Sequence, residues 1–390
     1  MGIYLDHAAT TYTDKRVLDE MRPYFEKVYG NASSQHSYGR EAQKAIMKAR
    51  QQTAALVGCL TEEIYFTSGG TESDNWALKG IAEIAGKGHI ITTSVEHHAV
   101  LDTCDYLKSR GFDVTNLPVD SMGRVSPEAV EQAIRPDTIL ISVMFANNET
   151  GVIMPIAEIG NIARRHDILF HTDAVQAVGH VPIDVKAMDI DMLSLSAHKF
   201  YGPKGVGALY IRQGVTIGRF MHGGAHEKGL RASTYNTPGI VGLGAAAQLA
   251  ADTMEQNIRH ERMLSGRLAE ELTKLPGTYL NGGGAERLPG HLNVTFSGIE
   301  AEALMTYLDL EDIAVSTGSA CSSGSFKPSY VLRAMGLSIE DARGSLRMSI
   351  GRENNLEQID TVIKTAAAAV ERLQKLSPLF AQRQGGKTHV

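Results

Sequence analysis

The chain has 390 residues, of which 43% are hydrophobic and 21% are charged, and its formal net charge is −6. A chain of this length is expected to form about two or three domains with a substantial buried core. The slight acidity predicts no direct contact with nucleic acid. No apolar run approaches the roughly 18 residues that a bilayer span needs, so we expect no association with a membrane.

Cysteine usage and the N-terminal residues both favour a cytoplasmic protein. The segment MGIYLDHAATT lacks the basic and apolar regions of a secretory signal. Cys59, Cys104 and Cys321 form no Cys-x-x-Cys pair, which is typical of a reducing compartment, and we expect no metal site. Cys59 and Cys104 lie in apolar or helical contexts that predict packing. Cys321 lies in STGSACSSGS, which predicts either an exposed nucleophilic thiol or a chance cysteine in a linker.

Short apolar runs alternate with helical stretches through the first part of the chain. The predicted strands are 64–67, 89–93, 138–145, 168–171, 191–196 and 207–211. Runs that are apolar on both faces and separated by helix-period segments predict an α/β fold with a mainly parallel sheet. About ten residues join the last two strands, which is short for a parallel crossover, so we expect one of them to be antiparallel.

The sequence pattern changes after Gly239. Residues 244–275 predict one long helix or two, followed by a strand at 291–296, a helix at 300–308, a loop at 316–325 and a closing helix at 356–376. We place a domain boundary inside the long helix, near residue 257. The large domain is then 15–257, and a smaller α+β domain comprises 1–14 plus 258–390 and carries the Cys321 loop.

Polar clusters follow five of the predicted strands. They are the segments 68–71, 96–98, 147–149, 173–176 and 198–199. Because the carboxyl ends of strands in an open α/β sheet form the ligand crevice, we expect one site there. The glycines of SGGT suit an anion at a helix N-terminus, or they belong to an ordinary helix cap. The motif is neither a P-loop nor Gly-x-Gly-x-x-Gly, which argues against ATP and lowers the odds of NAD.

Three residues of these clusters, and Arg347 in the later segment SLRMS, are candidates for chemistry, each with a plainer alternative. Lys199 ends an apolar strand, where burial favours Schiff-base formation with an aldehyde, unless it is a surface lysine beside a turn. Asp173 could pair with a protonated pyridine nitrogen or cap a helix. His97 could lie over an aromatic cofactor or begin a helix. Arg347 could hold a carboxylate in a bidentate fork or stand on the surface of a strand.

Nine segments, in order along residues 4–352, together resemble the cysteine desulfurases of the iron–sulfur-cluster and nitrogen-fixation type, within the class V aminotransferases. They are YLDHAATT, GNASSQH, FTSGGTESDN, EHHAVLDTC, NNETG, HTDAVQAVG, SAHKFYGPKGVGALY, STGSACSSG and SLRMSIGR. The occurrence of HKFYGPKGVGALY and GSACSSG in the same chain is highly specific for this family. The resemblance implies a fold type I transferase that depends on pyridoxal 5′-phosphate (PLP).

The resemblance also implies roles for residues around the cofactor. Lys199 carries PLP as a Schiff base, Asp173 binds its ring nitrogen and Gln176 its phenolic oxygen. His97 stacks on the ring and moves protons. The phosphate is implied to lie among a set of small and polar residues, namely Gly70, Thr71, Ser196 and His198.

The remaining implied roles concern the substrate and a second subunit. Asn148 and Arg347 hold the substrate carboxylate, and Thr234 reaches the phosphate of the neighbouring subunit in a homodimer. Cys321 attacks the sulfur of L-cysteine, and its persulfide passes to an acceptor or scaffold protein in iron–sulfur cluster assembly or tRNA thiolation while L-alanine leaves. The acceptor stays open.

The chain departs from the family pattern at two positions, and two other kinds of PLP enzyme remain as alternatives. The family usually has a glycine before the threonine where this chain has Ser233, and Ala225 also departs from the family pattern. A selenocysteine lyase or another PLP enzyme of the same fold, such as an aminotransferase, would use Lys199 and Asp173 too. Neither alternative needs a thiol at Cys321.

Overall fold

The computed structural model of the chain describes residues 2–317, 328–378 and 380. Cys321, most of the predicted loop at 316–325 and the polar residues at the C-terminus lie outside the described residues. None of the helices in the described ranges has both the length and the apolarity to cross a bilayer.

Twelve strands are described. In chain order they are β1 (Ile3–Tyr4), β2 (Ile64–Thr67), β3 (His89–Thr93), β4 (Asp113–Leu117), β5 (Thr138–Ser142), β6 (Leu169–Asp173), β7 (Met192–Ser196), β8 (Gly207–Ile211), β9 (Thr278–Leu280), β10 (His291–Phe296), β11 (Ile313–Ala314) and β12 (Ser345–Ser349).

The described α-helices also number twelve. They are α1 (Lys15–Met21), α2 (Pro23–Glu26), α3 (Ser37–Val57), α4 (Gly70–Ala85), α5 (His98–Ser109), α6 (Pro127–Gln132), α7 (Ile156–Arg165), α8 (Thr237–Leu272), α9 (Ala301–Leu310), α10 (Tyr330–Ala334), α11 (Ile339–Arg343) and α12 (Leu356–Leu376).

Seven strands form the large sheet in the order β2-β8-β7-β6-β5-β3-β4. β8 pairs antiparallel with both β2 and β7, and the other pairings are parallel. This arrangement confirms the predicted mainly parallel sheet and its one antiparallel strand. Successive residues of β3 and β5 enter different apolar clusters, Ile90 and Leu140 on one side and Ile91 and Ile141 on the other. The sheet is therefore buried on both faces, as its apolar runs require.

A smaller antiparallel sheet, in the order β12-β10-β9, follows in the second part of the chain. The N-terminal β1 pairs parallel with β11, so the first residues of the chain pack on this part, as expected. α8 is one continuous helix whose early residues, such as Leu243, join the core of the large sheet, while Leu264 and Leu268 join the core of the small one. The predicted boundary near residue 257 falls between these two stretches, and the exact domain limits stay a prediction.

Cys59 and Cys104 both lie against apolar clusters. Cys104 is 1% exposed and Cys59 is half-buried. Burial raises the pKa of each thiol to about 12. Both cysteines are thus packed, as their sequence contexts predict, and the raised pKa values keep them protonated at neutral pH.

Candidate active site

Lys199 lies at the end of a short 3-10 turn that directly follows β7. Its Nζ donates hydrogen bonds to two carbonyl oxygens of the N-terminal segment, Ala8 at 2.5 Å and Ala9 at 3.0 Å. The Nε2 of His180 donates to the Lys199 carbonyl at 2.9 Å, which requires the proton of that ring to sit on Nε2. The backbone and the side chain of Lys199 are therefore both held from neighbouring elements.

Asp173 and His97 lie close enough to Lys199 for their charges to interact. Asp173 ends β6, is 6% exposed and accepts a hydrogen bond from the amide of Val175 at 2.9 Å. Burial raises the pKa of the Asp173 carboxyl, an effect that His97 and Lys199 oppose. Burial lowers the pKa of the His97 ring, and Asp173 opposes that effect. The structure thus brings together the three residues that the sequence places after three different strands.

A second buried carboxyl group, that of Asp74, lies near Asp173 and increases the need for a positive charge beside the pair. The pKa of Asp74, on α4, is raised well above its ordinary value by burial and by the neighbouring Asp173. Two buried carboxyls close together cannot both be charged without a cation nearby. A protonated ring nitrogen held against Asp173 meets this demand, so the residues present fit the PLP ring.

Three of the phosphate-binding residues predicted from sequence, Gly70, Thr71 and Ser196, lie at or near the N-terminus of α4. Gly69 precedes the helix and offers no side-chain cap, so the first amides of α4 are available to an anion. Ser196 is buried at the end of β7, and a Cβ built on Gly69 would lie 3.6 Å from its Oγ. Gly70 begins the helix and Thr71 is exposed beside it. These free amides and the nearby Ser196 hydroxyl fit a phosphate group.

Two further residues of the predicted cofactor site contact the N-terminal segment. Gln176 donates through Nε2 to the Ala8 carbonyl at 3.0 Å, the same oxygen that accepts from Lys199. The Nδ1 of His198 lies 3.0 Å from the Thr10 hydroxyl. Burial lowers the pKa of His198 to about 4, so its ring is neutral at pH 7 and offers a hydrogen bond rather than a charge.

Arg347 and Asn148 lie next to each other, and Arg347 also contacts Asp6 of the N-terminal segment. Arg347 is 2% exposed on β12, and its guanidinium donates to the Asn148 carbonyl at 3.1 Å and to a carboxylate oxygen of Asp6 at 2.7 Å. Among the described residues, the buried Nε of Arg347 and the buried Oδ1 of Asn148 have no hydrogen-bond partner. Unpaired buried polar atoms are rare in folded proteins, and this donor and acceptor suit the carboxylate and amino groups of an amino acid.

Two predicted residues are not brought to this cluster by the described structure. Cys321 lies outside the described residues. Thr234 is exposed on the segment that precedes α8, and its predicted contact with a neighbouring subunit stays a prediction.

Sequence reasoning missed three contributors to the site. They are the Asp6 carboxylate, the Ala8 carbonyl and His180. The segment YLDHAATT carried a signal for the first two, since it belongs to the resemblance. His180 had none, because a backbone carbonyl is its partner.

The chain was compared with protein families and solved structures. The family model described as aminotransferase class-V matches residues 3–362. The chain belongs to this family. Cysteine desulfurase IscS of Methanosarcina thermophila is 54% identical over 381 residues, covering 97% of this chain and 94% of that protein. The IscS of Clostridium botulinum is 51% identical over 383 residues, covering 97% and 96%.

A solved structure shows the same kinship. A NifS-like protein superposes on this class-V chain with a TM-score of 0.90 at 39% identity, covering 96% of this chain and 100% of that one. The predicted fold type, the predicted PLP cofactor and the predicted kinship with cysteine desulfurases are therefore confirmed.

Replacing Gly207 with alanine should weaken PLP binding. A Cβ at this position would lie 2.5 Å from the Leu195 carbonyl oxygen and 2.7 Å from the Gly69 Cα. β8 and the turn at Gly69, which precedes α4, must therefore move apart. Overpacking of this kind costs about 1–3 kcal/mol, and PLP affinity should fall roughly tenfold to a hundredfold. Absorbance titration of PLP-free protein measures it.

The matched control for this experiment is Gly266→Ala. No heavy atom lies within 4 Å of the new Cβ there, and residue 266 lies inside α8, so PLP affinity should equal that of the wild type. Unchanged affinity in Gly207→Ala would show that the turn at Gly69 does not hold the phosphate.

Replacing Glu96 with glutamine should stabilise the protein more as the pH rises. Burial raises the pKa of Glu96 to about 8, above the unfolded value of about 4.3. The folded state therefore holds this proton more tightly, and the stability that it contributes is lost as the pH rises from about 4.3 towards 8. Glutamine keeps a neutral side chain, so the Tm difference between variant and wild type should grow by a few degrees from pH 5 to pH 9.

The control is Glu302→Gln on the exposed face of α9, whose Tm difference should stay constant with pH. Thermal unfolding of the three proteins at pH 5, 7 and 9 decides the matter. A Tm difference for Glu96→Gln that does not change with pH would mean that Glu96 is ionised in the folded protein at all three values.

Proposed function

We propose that the protein takes the sulfur from L-cysteine, releases L-alanine and carries the sulfur as a persulfide on Cys321 before passing it to an acceptor protein. The observation that supports this most is the convergence of Lys199, Asp173 and His97 beside the glycine-lined N-terminus of α4. That arrangement suits a PLP enzyme, and Cys321 is the feature that a plain aminotransferase does not need.

The residues around the cofactor divide its binding between ring and phosphate. Lys199 would form the covalent link, Asp173 would hold the ring nitrogen, Gln176 the phenolic oxygen and His97 the ring face. The phosphate is held by residues at the turn before α4 and at the end of β7, namely Gly70, Thr71, Ser196 and His198.

PLP, when bound, supplies an electron sink that weakens bonds at the substrate's α-carbon. Lys199 takes and returns the proton at that carbon, and its contacts with the Ala8 and Ala9 carbonyls keep its Nζ inside the crevice. Asp173 keeps a proton on the ring nitrogen, because a buried carboxylate needs a cation beside it. His97 carries protons at the same face, since burial lowers its pKa and leaves a neutral ring.

Arg347 and Asn148 orient the substrate by its carboxylate. The guanidinium offers a planar fork of N–H donors, which suits a carboxylate in two parallel hydrogen bonds. Asp6 occupies one edge of that fork, and the buried Nε remains without a partner among the described residues. The substrate is thus fixed at one end, which leaves its sulfur to face the attacking thiol.

Cys321 is the nucleophile for the sulfur. In this step an S–S bond forms between the two sulfur atoms and the C–S bond of the substrate breaks. Cys59 and Cys104 are unsuited, since burial raises the pKa of each to about 12 and only a thiolate attacks efficiently.

The proposal extends to the assembly. Two copies form a homodimer in which Thr234 reaches the phosphate of the other subunit, and its exposure on the segment before α8 is compatible with that contact. The sulfur acceptor is an iron–sulfur scaffold or a tRNA-thiolation protein, and the enzyme works in the cytoplasm. The domain limits 15–257 and 1–14 plus 258–390 complete the proposal.

Cys321→Ser should keep bound PLP and its visible absorbance but release no sulfide from L-cysteine in the presence of a thiol reductant. The reason is that a hydroxyl cannot form the persulfide. Sulfide release and the PLP spectrum are measured side by side.

The matched controls are Cys59→Ser and Cys104→Ala, which should stay active because both positions pack rather than react. Wild-type turnover of L-cysteine by Cys321→Ser would overturn the persulfide mechanism. Turnover by that variant on selenocysteine alone would point to the lyase alternative.

Arg347→Ala should raise KM for L-cysteine roughly tenfold to a hundredfold, because a charge-assisted hydrogen bond contributes about 1.5–3 kcal/mol. PLP affinity should not change, since the contacts of Arg347 are with Asp6 and Asn148. Arg347→Lys should recover only part of the loss, because an ammonium cannot form the fork.

Steady-state kinetics with L-cysteine measure this effect, and Tm shows whether each variant is folded. The control is Arg267→Ala, which removes an exposed ion pair with Asp360 and should leave KM unchanged. An unaltered KM in a folded Arg347→Ala would assign the carboxylate to another cation.

A further inference from the structure

We infer that Tyr330 is a positioning residue for His97, and that α10 joins the chain after the Cys321 segment to the turn that holds the cofactor ring. The inference rests on the proposed role of His97 and adds a residue to it. Tyr330 is the first residue of α10, and Cys321 lies nine positions before it in the chain.

Tyr330 contacts both chain neighbours of His97. Its hydroxyl donates a hydrogen bond to the Glu96 carbonyl at 2.6 Å. Its ring lies 5.0 Å from the ring of His98, with an interplanar angle of 57°. A residue that holds positions 96 and 98 fixes the backbone direction at position 97, and with it the direction of the imidazole.

The other side of the same turn is fixed from the core of the protein. The Glu96 carboxyl accepts hydrogen bonds from the Thr93 hydroxyl at 2.7 Å and from the Met144 amide at 2.9 Å. The Nδ1 of His97 accepts from the Ala99 amide at 3.1 Å, which leaves Nε2 to carry the proton of the neutral ring. The Tyr330 hydroxyl thus adds a contact from α10 to a turn that Thr93 and the Met144 amide hold from the other side of the chain.

The residue before Tyr330 makes a similar contact beside Asn148. Ser329 is buried, caps α10 through the Leu332 amide at 3.1 Å and donates to the Glu149 carboxylate at 2.5 Å. Glu149 directly follows Asn148. The start of α10 therefore bridges the two strand-end turns that carry a cofactor residue and a substrate residue.

The chain before the Cys321 segment is also attached to the site. The backbone of Ser316 pairs with that of Arg347 in both directions, at 3.1 Å and 2.7 Å. Both flanks of residues 318–327 are therefore hydrogen-bonded to elements that carry proposed site residues. Tyr330 is the flank residue whose side chain acts on the ring-facing histidine.

The test is the titration of His97 in PLP-free Tyr330→Phe, which keeps the ring and removes the hydrogen bond to Glu96. The His97 resonance is followed by NMR and assigned with His97→Gln. Its pKa should rise by about half a unit or more towards the ordinary histidine value, because a released turn exposes the ring. The charged groups that act on this ring are Asp173, Lys199, His98 and Asp102, and none of them is altered.

Two further variants make the test specific. Tyr106→Phe changes an exposed tyrosine on α5, the helix that His97 caps, and should leave the titration unchanged. Ser329→Ala loosens the start of α10 independently and should shift the titration in the same direction as Tyr330→Phe. In PLP-loaded enzyme, Tyr330→Phe should lower kcat roughly threefold to tenfold with little change in KM, since a misdirected group acts on turnover rather than on binding.

A His97 titration in Tyr330→Phe that coincides with the wild type would overturn the inference, and a lower Tm without a shifted titration would reduce Tyr330 to a structural role. The titration needs neither PLP nor turnover. A shifted titration together with a wild-type enzyme that releases no sulfide would therefore support the positioning and refute the proposed function.

Discussion

A carboxyl group buried at the end of β6 is the constraint around which this site is organised. Asp173 is 6% exposed and lies near a second buried carboxyl, Asp74. A buried carboxylate is costly unless donors and cations surround it. The fold supplies an amide from Val175, the His97 ring and the Lys199 ammonium, and a protonated cofactor ring held against Asp173 would complete the set. Without the cofactor, Asp173 lacks the positive charge that a protonated ring nitrogen would place beside it. This favours tight cofactor binding.

The N-terminal segment contacts both the residues proposed to hold the cofactor and Arg347, which is proposed to hold the substrate. The Ala8 carbonyl accepts from Lys199 and from Gln176, while Asp6, two residues earlier, pairs with Arg347. The same segment follows β1, which pairs with β11 in a separate two-stranded sheet, and it is hydrogen-bonded to the small sheet through Ser349 of β12. One short stretch of backbone thus sets the distance between the groups proposed to hold the cofactor and the groups proposed to hold the substrate.

The fold was largely predictable because most of its strands are buried on both faces. Predicted strands 64–67, 89–93 and 207–211 coincide with β2, β3 and β8, and the closing helix coincides with α12. β4 was missed, since it is an edge strand with the polar and partly exposed sequence DVTNL.

β5 is shorter than the prediction for a tertiary reason. It ends at Ser142, and of the amides that follow, those of Val143 and Phe145 still donate to β6 carbonyls, whereas that of Met144 donates to the Glu96 carboxyl instead of to a strand. The candidate site follows the same rule. Side chains at strand ends were predictable, whereas carbonyl partners and long-range hydroxyls such as that of Tyr330 have no sequence pattern.

Ser233 shows how the fold tolerates a departure from the family pattern. Its φ of 153° lies in a region that favours glycine, so the serine there carries backbone strain. The surrounding loop is fixed by two ion pairs, Arg231 with Glu72 at 2.7 Å and Arg50 with Glu227 at 2.7 Å.

Both of these carboxylates also accept backbone amides of the segment that leads into α4. Glu72 accepts from Ser68 at 2.8 Å, and Glu227 accepts from Phe66 at 3.1 Å. Each ion pair therefore joins the loop that carries Thr234 to the segment before α4, the proposed phosphate site, in the same chain. Because breaking a buried pair leaves an uncompensated charge, at a cost of about 3–5 kcal/mol, the strain at Ser233 is too small to release the loop. In the proposed homodimer Thr234 reaches the phosphate of the other subunit. Its position there then depends on the two ion pairs that tie its loop to the segment before α4 in its own chain.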